Sequence, residues 1–134
     1  MVVQNVRSSE ADFSFDSDGD GETEALTDGL LVLRYLFGFS GTTLSESAVS
    51  SSALRTSAAD ISEYLSTNLA QLDVDGDGET DALTDGLLLL RYLYGFRDDT
   101  LITGALSSSA TRDSSSEIET YTAERVIDTA SIFG

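Results

Sequence analysis

Two stretches of this chain are nearly identical. Residues 16–39 read DSDGDGETEALTDGLLVLRYLFGF, and residues 73–96 read DVDGDGETDALTDGLLLLRYLYGF. Twenty of the 24 aligned positions are the same, at an offset of 57 residues. Because the offset continues at lower identity beyond each stretch, the sequence predicts two 57-residue repeats. The predicted segments are an N-terminal extension (1–15), repeat 1 (16–72), repeat 2 (73–129) and a C-terminal tail (130–134).

The two repeats are predicted to share one local structure. An acidic, glycine-rich loop is followed by a leucine-rich segment (29–37 and 86–94) that a glycine closes, and this combination favours a helix over a strand. A serine-rich connector with a short helical turn near 44–49 comes next. The last helix of each repeat opens with Ser57 or Ser114 as its N-cap. We therefore predict an all-α fold of about six short helices, with both repeats packed as one domain.

The composition excludes several classes of protein. Seven basic and 24 acidic residues give a net charge of −17, and the chain has no His, Cys or Lys. Ser-His-Asp triads, thiol nucleophiles and ordinary zinc sites are therefore ruled out. The strong negative charge argues against nucleic acid and anionic membranes as partners, and no apolar stretch is long enough for membrane insertion. A chain of this kind is suited to binding cations.

Both acidic loops begin with Asp-x-Asp-x-Asp-Gly, the first half of a calcium-binding loop. Alternate carboxylates on a tightly turning backbone converge on one point, and the glycine allows the chain to reverse. The seventh residue would coordinate through its backbone carbonyl, and a late aspartate would close the loop. The predicted ligands are Asp16, Asp18, Asp20, Glu22 and Asp28 in loop 1, and Asp73, Asp75, Asp77, Glu79 and Asp85 in loop 2.

Each loop departs from the standard pattern by one residue. The closing acid is expected at position 12, but Thr27 and Thr84 occupy that position, and Asp28 and Asp85 follow at position 13. We expect the extra residue to be absorbed just before the helix, around residues 24–27 and 81–84. Glu24 and Asp81 stand at position 9, where the sequence leaves the ligand open.

The charge of the loops also favours a metal ion. Each loop holds six carboxylates, which would repel one another strongly without a cation. Calcium suits a flexible cage of oxygen ligands better than magnesium does. We therefore predict two bound Ca²⁺ ions, which would change the net charge from −17 to −17 + 4 = −13. The alternative is that the acids form an ordinary solvated turn.

These loops, each followed directly by LVLRYL (31–36) or LLLRYL (88–93), resemble the tandem EF-hand-like repeats of dockerins. The resemblance covers about 24 residues per repeat, and the other 33 match ordinary dockerins poorly. It implies an extracellular or cell-surface, calcium-stabilised, non-enzymatic module of a larger secreted protein. The partner would be a cohesin-like protein or another surface component. Partner-contacting residues would lie late in each loop and along the following helix (25–27 with 34–35, and 82–84 with 91–92).

Other readings remain open at this point. The repeats could form a calcium-rigidified spacer or a self-assembling surface element, or, less plausibly, a two-carboxylate glycosidase. Arg34 and Arg91 could form an ion pair with a loop carboxylate or contact a partner. Tyr35 and Tyr92 are expected to pack in the core. Apolar residues near both chain ends lead us to expect that the termini pack near each other.

Overall fold

The computed structural model describes residues 13–126 and is helical, with no strand in that part of the chain. The all-α prediction is therefore confirmed. Repeat 1 contains α1 (Leu30–Leu36), α2 (Thr42–Ser45) and α3 (Ala58–Thr67), and repeat 2 contains α4 (Leu87–Leu93), α5 (Asp99–Ile102) and α6 (Ser115–Ala123). A π-helical turn precedes α1 (Ala25–Gly29) and α4 (Ala82–Gly86), and a 3₁₀ helix covers Leu69–Leu72.

The helices obey the 57-residue offset of the sequence. The first two helices and the π-helical turn of repeat 1 recur in repeat 2 at positions shifted by 57, and α3 and α6 also begin 57 residues apart. The predicted segment boundaries stay predictions. The tail 130–134, most of the extension 1–15 and the expected packing of the termini lie outside the described residues.

The ends of the helices follow the local sequence signals. Gly38 and Gly95 stop α1 and α4 with φ of +95° and +98°, a conformation that glycine adopts without steric cost. The Ser57 hydroxyl accepts a hydrogen bond from the Asp60 N–H at 3.1 Å, which caps α3. At α6 the cap is the full reciprocal box, because the longer Glu117 side chain reaches back to the backbone of the N-cap serine.

Two details differ from the expected helices. The short helix α2 begins at Thr42, earlier than the expected turn over 44–49. The apolar spacing that runs from Ile61 to Leu72 suggests one continuous helix, but α3 ends at Thr67. The Asn68 side chain donates to the Tyr64 carbonyl at 2.8 Å and caps the helix end, after which the chain tightens into the 3₁₀ helix.

The two repeats share a single apolar core. Leucines from α1 and α4 lie in the same cluster as side chains from all the other α-helices or the turns beside them. Tyr35 and Tyr92 pack against this cluster while half-buried, in agreement with the predicted core role. The buried residues of this cluster are Phe13, Phe15, Leu31, Val32, Leu44, Ala48, Ile61, Leu65, Leu72, Val74, Leu88, Leu89, Leu101, Ala105 and Ile118.

The repeats meet where each π-helical turn packs against the first long helix of the other repeat. The glycine that ends each turn allows this close approach. A Cβ atom on Gly86 would lie 3.0 Å from Leu33 Cδ1, and one on Gly29 would lie 3.1 Å from Leu90 Cδ1. The same contact therefore occurs twice, once in each direction, and joins the two repeats.

No helix within residues 13–126 combines the length and the apolar character needed to cross a bilayer.

Candidate metal centres

Four aspartates from each loop converge on one point. Each of the four offers a carboxylate oxygen, and these oxygens all lie within 4.8 Å of one another. The first cluster consists of Asp16, Asp18, Asp20 and Asp28, and the second consists of Asp73, Asp75, Asp77 and Asp85. The structure therefore contains two acidic clusters, one per repeat, that could hold a metal ion.

The first aspartate of each loop organises the tight turn that follows it. Asp16 Oδ1 accepts hydrogen bonds from the N–H groups of Gly19 and Asp20, both at 3.1 Å, and Oδ2 accepts from Gly21 at 2.9 Å. Gly21 has a φ of +95°, which explains the glycine at the sixth position. In repeat 2, Asp73 accepts the N–H of Gly78 at 2.9 Å in the same manner.

The last aspartate closes each loop from within the π-helical turn. Asp28 is fully buried, and its carboxylate accepts the N–H of Asp18 at 3.3 Å and that of Glu24 at 2.8 Å. The Thr27 hydroxyl also donates to it, at 3.2 Å. Asp85 is held equivalently in repeat 2. The position-13 aspartate thus belongs to each cluster.

The extra loop residue is accommodated by widening the first helical turn. The Gly29 N–H donates to the Glu24 carbonyl at 3.0 Å, and the Leu30 N–H donates to the Ala25 carbonyl, so both bonds span five residues instead of four. A π-helical turn is the usual result of one residue inserted into a helix. The predicted location of the extra residue, just before the helix, is confirmed.

Burial and mutual repulsion make these carboxylates hard to ionise without a cation. Burial raises the pKa of Asp28 to about 8, and the neighbouring Asp18 and Asp16 charges raise it as well. The pKa of Asp85 is raised to about 7 by burial and by Asp75 and Asp73. A divalent cation would reverse both effects, because it stabilises the ionised carboxylates.

In each cluster one buried carboxylate oxygen has no hydrogen-bond partner among residues 13–126. Asp18 and Asp75 are fully buried, and Oδ1 of each has no hydrogen-bond partner within residues 13–126. A buried, unpaired carboxylate oxygen is costly unless a cation or donor meets it. The donor set of each cluster therefore fits a hard metal ion.

The remaining predicted ligands are not in the carboxylate clusters. Neither Glu22 nor Glu79 contributes a carboxylate there, so their coordination through the backbone carbonyl stays a prediction. The position-9 side chains of Glu24 and Asp81 are also outside the clusters. The backbone N–H groups of Glu24 and Asp81 donate to the closing aspartates at 2.8 Å.

Of the two alternatives for Arg34 and Arg91, the ion pair with a loop carboxylate is not formed in residues 13–126. The Arg34 guanidinium donates to the carbonyls of Leu44 and Glu46 at 2.9 and 2.8 Å. Arg91 donates to the carbonyl of Leu101 and its neighbours in the same way. Both arginines therefore tie the first helix of a repeat to the short helix after it, because the carbonyls at the end of that short helix need donors.

The sequence analysis also missed part of the loop environment. Ser50 and Arg55, in the connector after α2, contact loop 1, and Ser107 and Arg112 contact loop 2. The signal available in the sequence was that these residues recur at the 57-residue offset.

Comparison of the chain with family models, with curated proteins and with solved structures finds no match.

Proposed function

We propose that the protein is a calcium-binding, calcium-stabilised protein-interaction module, similar to dockerins, that acts outside the cell as part of a larger secreted protein. The observation that carries the proposal is the unpaired, fully buried Oδ1 of Asp18 and of Asp75, each inside a cluster of four aspartates. Such an oxygen is explained by a cation that binds it.

Calcium is the ion that the donor set favours. Every donor is a hard oxygen, and loops of carboxylates supplemented by a backbone carbonyl are typical of calcium. Magnesium demands near-ideal octahedral geometry and retains several waters, which a 13-residue loop closed by protein oxygens serves poorly. In this proposal four aspartates and one carbonyl, of Glu22 or Glu79, hold each of two ions.

Calorimetry on chelator-treated protein tests the metal assignment. We expect a stoichiometry near two for Ca²⁺ and much weaker binding of Mg²⁺. Asp16→Ala and Asp73→Ala should each remove one site, and the double variant should remove both. A stoichiometry near zero for the parent chain would overturn the proposal.

The interaction role is supported by exposed apolar side chains at equivalent places in the two repeats. Phe37, which is 52% exposed, and Leu83, which is 63% exposed, line a shallow groove where the end of α1 meets loop 2. Their counterparts Tyr94 and Leu26 are also exposed. Apolar side chains that stay in water in this way mark a surface where another protein could dock.

A pair of variants tests the interaction role. Leu26→Ser combined with Leu83→Ser should abolish binding of a cohesin module used as the probe. Leu54→Ser is the control, because Leu54 is the most exposed large apolar residue of residues 13–126 and does not line that groove. No binding of the probe, together with a monomeric size in light scattering with calcium, would contradict the interaction role.

A self-assembling surface element is the second candidate. It is favoured by the presence of two equivalent apolar sites on one molecule, which would allow copies to link. In that case calcium alone should increase the particle size in light scattering, and the Leu26/Leu83 double variant should stay monomeric. No enzymatic activity is part of either proposal, since the clustered carboxylates are used to bind metal.

A further inference from the structure

The serine-rich connector of each repeat forms hydrogen bonds with the acidic loop of the same repeat. The backbone N–H groups of Leu54 and Arg55 both donate to the Asp18 carbonyl, at 3.0 and 2.9 Å. The Ser50 N–H donates to Asp18 Oδ2 at 2.8 Å. Because Oδ2 is occupied by the connector, the carboxylate is oriented with its other oxygen, Oδ1, left free for a cation.

The Arg55 side chain forms further hydrogen bonds with the start of the loop. Its Nε donates to the Ser17 carbonyl at 2.8 Å, and its Nη2 donates to the Asp16 carbonyl at 2.6 Å. The guanidinium also lies over the ring of Tyr64, 3.7 Å from the centroid. The Tyr64 hydroxyl in turn donates to the Ser14 carbonyl at 2.7 Å. Three successive loop carbonyls, those of residues 16, 17 and 18, are thus held by one connector segment.

Repeat 2 contains the same arrangement. Arg112 donates to the carbonyls of Val74 and Asp73, both at 2.7 Å, and lies 3.9 Å from the centroid of the Tyr121 ring. The Ser107 N–H donates to Asp75 Oδ2 at 2.9 Å. The same contacts at two places in one chain indicate a feature of the repeat and not an accident of one loop.

We infer that Arg55 and Arg112 are positioning residues for the two metal sites: each guanidinium fixes the first half of its loop in the conformation that binds the ion. The inference rests on the proposed calcium function and extends it to residues that are not ligands. Outer residues that orient metal ligands typically change affinity 10–100-fold when they are replaced. A loop that is already held in this conformation also loses less conformational entropy when the ion binds.

Lysine provides the sharpest test, because it keeps the positive charge but loses the planar fork that reaches two carbonyls at once. Arg55→Lys should therefore weaken calcium binding at site 1 about tenfold, with site 2 unchanged. Arg112→Lys should do the reverse. Arg55→Met, which removes the charge as well, should also weaken site 1.

Each site has its own reporter for this measurement. The Gly21 N–H bonds to Asp16, and the Gly78 N–H bonds to Asp73, so their amide NMR resonances report on sites 1 and 2 separately. Calcium titrations of the full chain would give a midpoint for each resonance. Arg97→Lys is the matched control. Arg97 also donates to backbone carbonyls and lies over a tyrosine ring (Tyr92, 3.8 Å), but the carbonyls that it contacts do not belong to an acidic loop.

The outcomes separate this inference from the proposed function. A shift of the Gly21 midpoint alone in Arg55→Lys supports the inference. Unchanged midpoints in that variant would overturn it while leaving calcium binding intact. Tighter binding in Arg55→Met would also overturn it, because the guanidinium would then act by repelling the ion. Equal weakening of both sites with a lower melting temperature would assign Arg55 a general structural role instead. If neither glycine of the parent chain responds to calcium, the proposed function itself fails.

Discussion

At the scale of single residues, the closing aspartates are buried and are held by several hydrogen bonds. Asp28 and Asp85 are fully buried, accept backbone hydrogen bonds from two parts of their own loop, and belong to the acidic clusters. They join the loop to the helix that follows it. A cation bound there would therefore stabilise the loop and the start of the helix together.

The first prediction concerns which residue closes loop 1. Asp28→Asn keeps the shape and one acceptor oxygen but removes the charge, so it should weaken calcium binding at site 1 by at least about tenfold. Thr27→Val is the matched control at position 12 and should have a much smaller effect, since the threonine only donates to Asp28. Calorimetry of both variants checks this. A larger loss for Thr27→Val would show that position 12 closes the loop.

The second prediction follows from the raised pKa values of the closing aspartates. In the metal-free fold the pKa of Asp28 is about 8, above its ordinary value of 3.8, so the folded state binds this proton more tightly than the unfolded state does. The contribution of Asp28 to the free energy of unfolding is therefore fully present below about pH 4, and it is lost as the pH rises towards 8. Asp85, with a pKa of about 7, acts in the same direction.

Denaturant unfolding of calcium-free protein between pH 4 and pH 8 measures this dependence. The free energy of unfolding should decrease with rising pH, and the slope should be smaller in the Asp28→Asn/Asp85→Asn double variant. Saturating calcium should flatten the decrease, because the ion replaces the protons. Greater stability of the metal-free chain at pH 8 than at pH 5 would contradict the prediction.

At the scale of the elements, the π-helical turns connect the metal loops to the interface between repeats. Each turn accommodates the thirteenth loop residue and then places a glycine against the first helix of the other repeat. One short segment thus serves both the loop and the packing.

The third prediction tests the close approach at these glycines. Gly29 and Gly86 have helical φ values, so alanine would gain up to about 1 kcal/mol of helix propensity at either position. Overpacking typically costs about 1–3 kcal/mol, and the new Cβ on Gly86 would also lie 3.4 Å from the Leu33 backbone. We expect Gly86→Ala to be net destabilising by about 1 kcal/mol.

Denaturant midpoints in calcium provide the measurement for this substitution. Ser116→Ala, at an exposed position in the first turn of α6, is the control for helix propensity alone and should be neutral or slightly stabilising. A stabilising Gly86→Ala would show that the two repeats can move apart at no cost.

At the scale of the whole molecule, the negative charge is largely uncompensated by arginine. The arginines of residues 13–126 donate mainly to backbone carbonyls or lie over tyrosine rings, and the one ion pair in that range joins Arg125 to Glu124 at 3.5 Å. The carboxylates therefore repel one another in the folded chain. Bound cations are the most direct way to offset this repulsion.

The fourth prediction is that calcium drives folding. Binding to the folded state alone stabilises it by RT ln(1 + [Ca]/Kd), about 4 kcal/mol per site when calcium exceeds Kd a thousandfold. Two sites would contribute roughly 8 kcal/mol, which is comparable with the whole stability of a small domain. Excess chelator should thus lower the melting temperature by tens of degrees or abolish the cooperative transition.

Circular dichroism with and without chelator checks this expectation. The Asp16→Ala/Asp73→Ala double variant is the control, because it should melt like the chelated parent chain whether or not calcium is present. An unchanged helical spectrum and melting temperature in chelator would show that the loops are not needed for folding.

Millimolar calcium outside cells would populate sites with micromolar Kd, which is why the proposed function is extracellular.

The repeat, the helical class and the acidic loops could all be predicted from the sequence. These features depend on local signals: alternating aspartates, leucine-rich segments, capping serines and closing glycines all act within a few residues. The position-13 aspartate could also be placed from the sequence, because one extra residue before a helix has few places to go.

The contacts of the connector and of the arginines could not be predicted from the sequence and are seen only in the folded chain. Arg55 contacts carbonyls 38 and 39 residues earlier in the chain, and Arg34 reaches carbonyls 10 and 12 residues later. No periodicity encodes such distant contacts, and the acidic composition made an ion pair the more obvious expectation. The close packing of Gly29 and Gly86 against leucines of the other repeat also depends on how the helices are arranged. Long-range contacts of this kind are set by how the elements pack around the shared core.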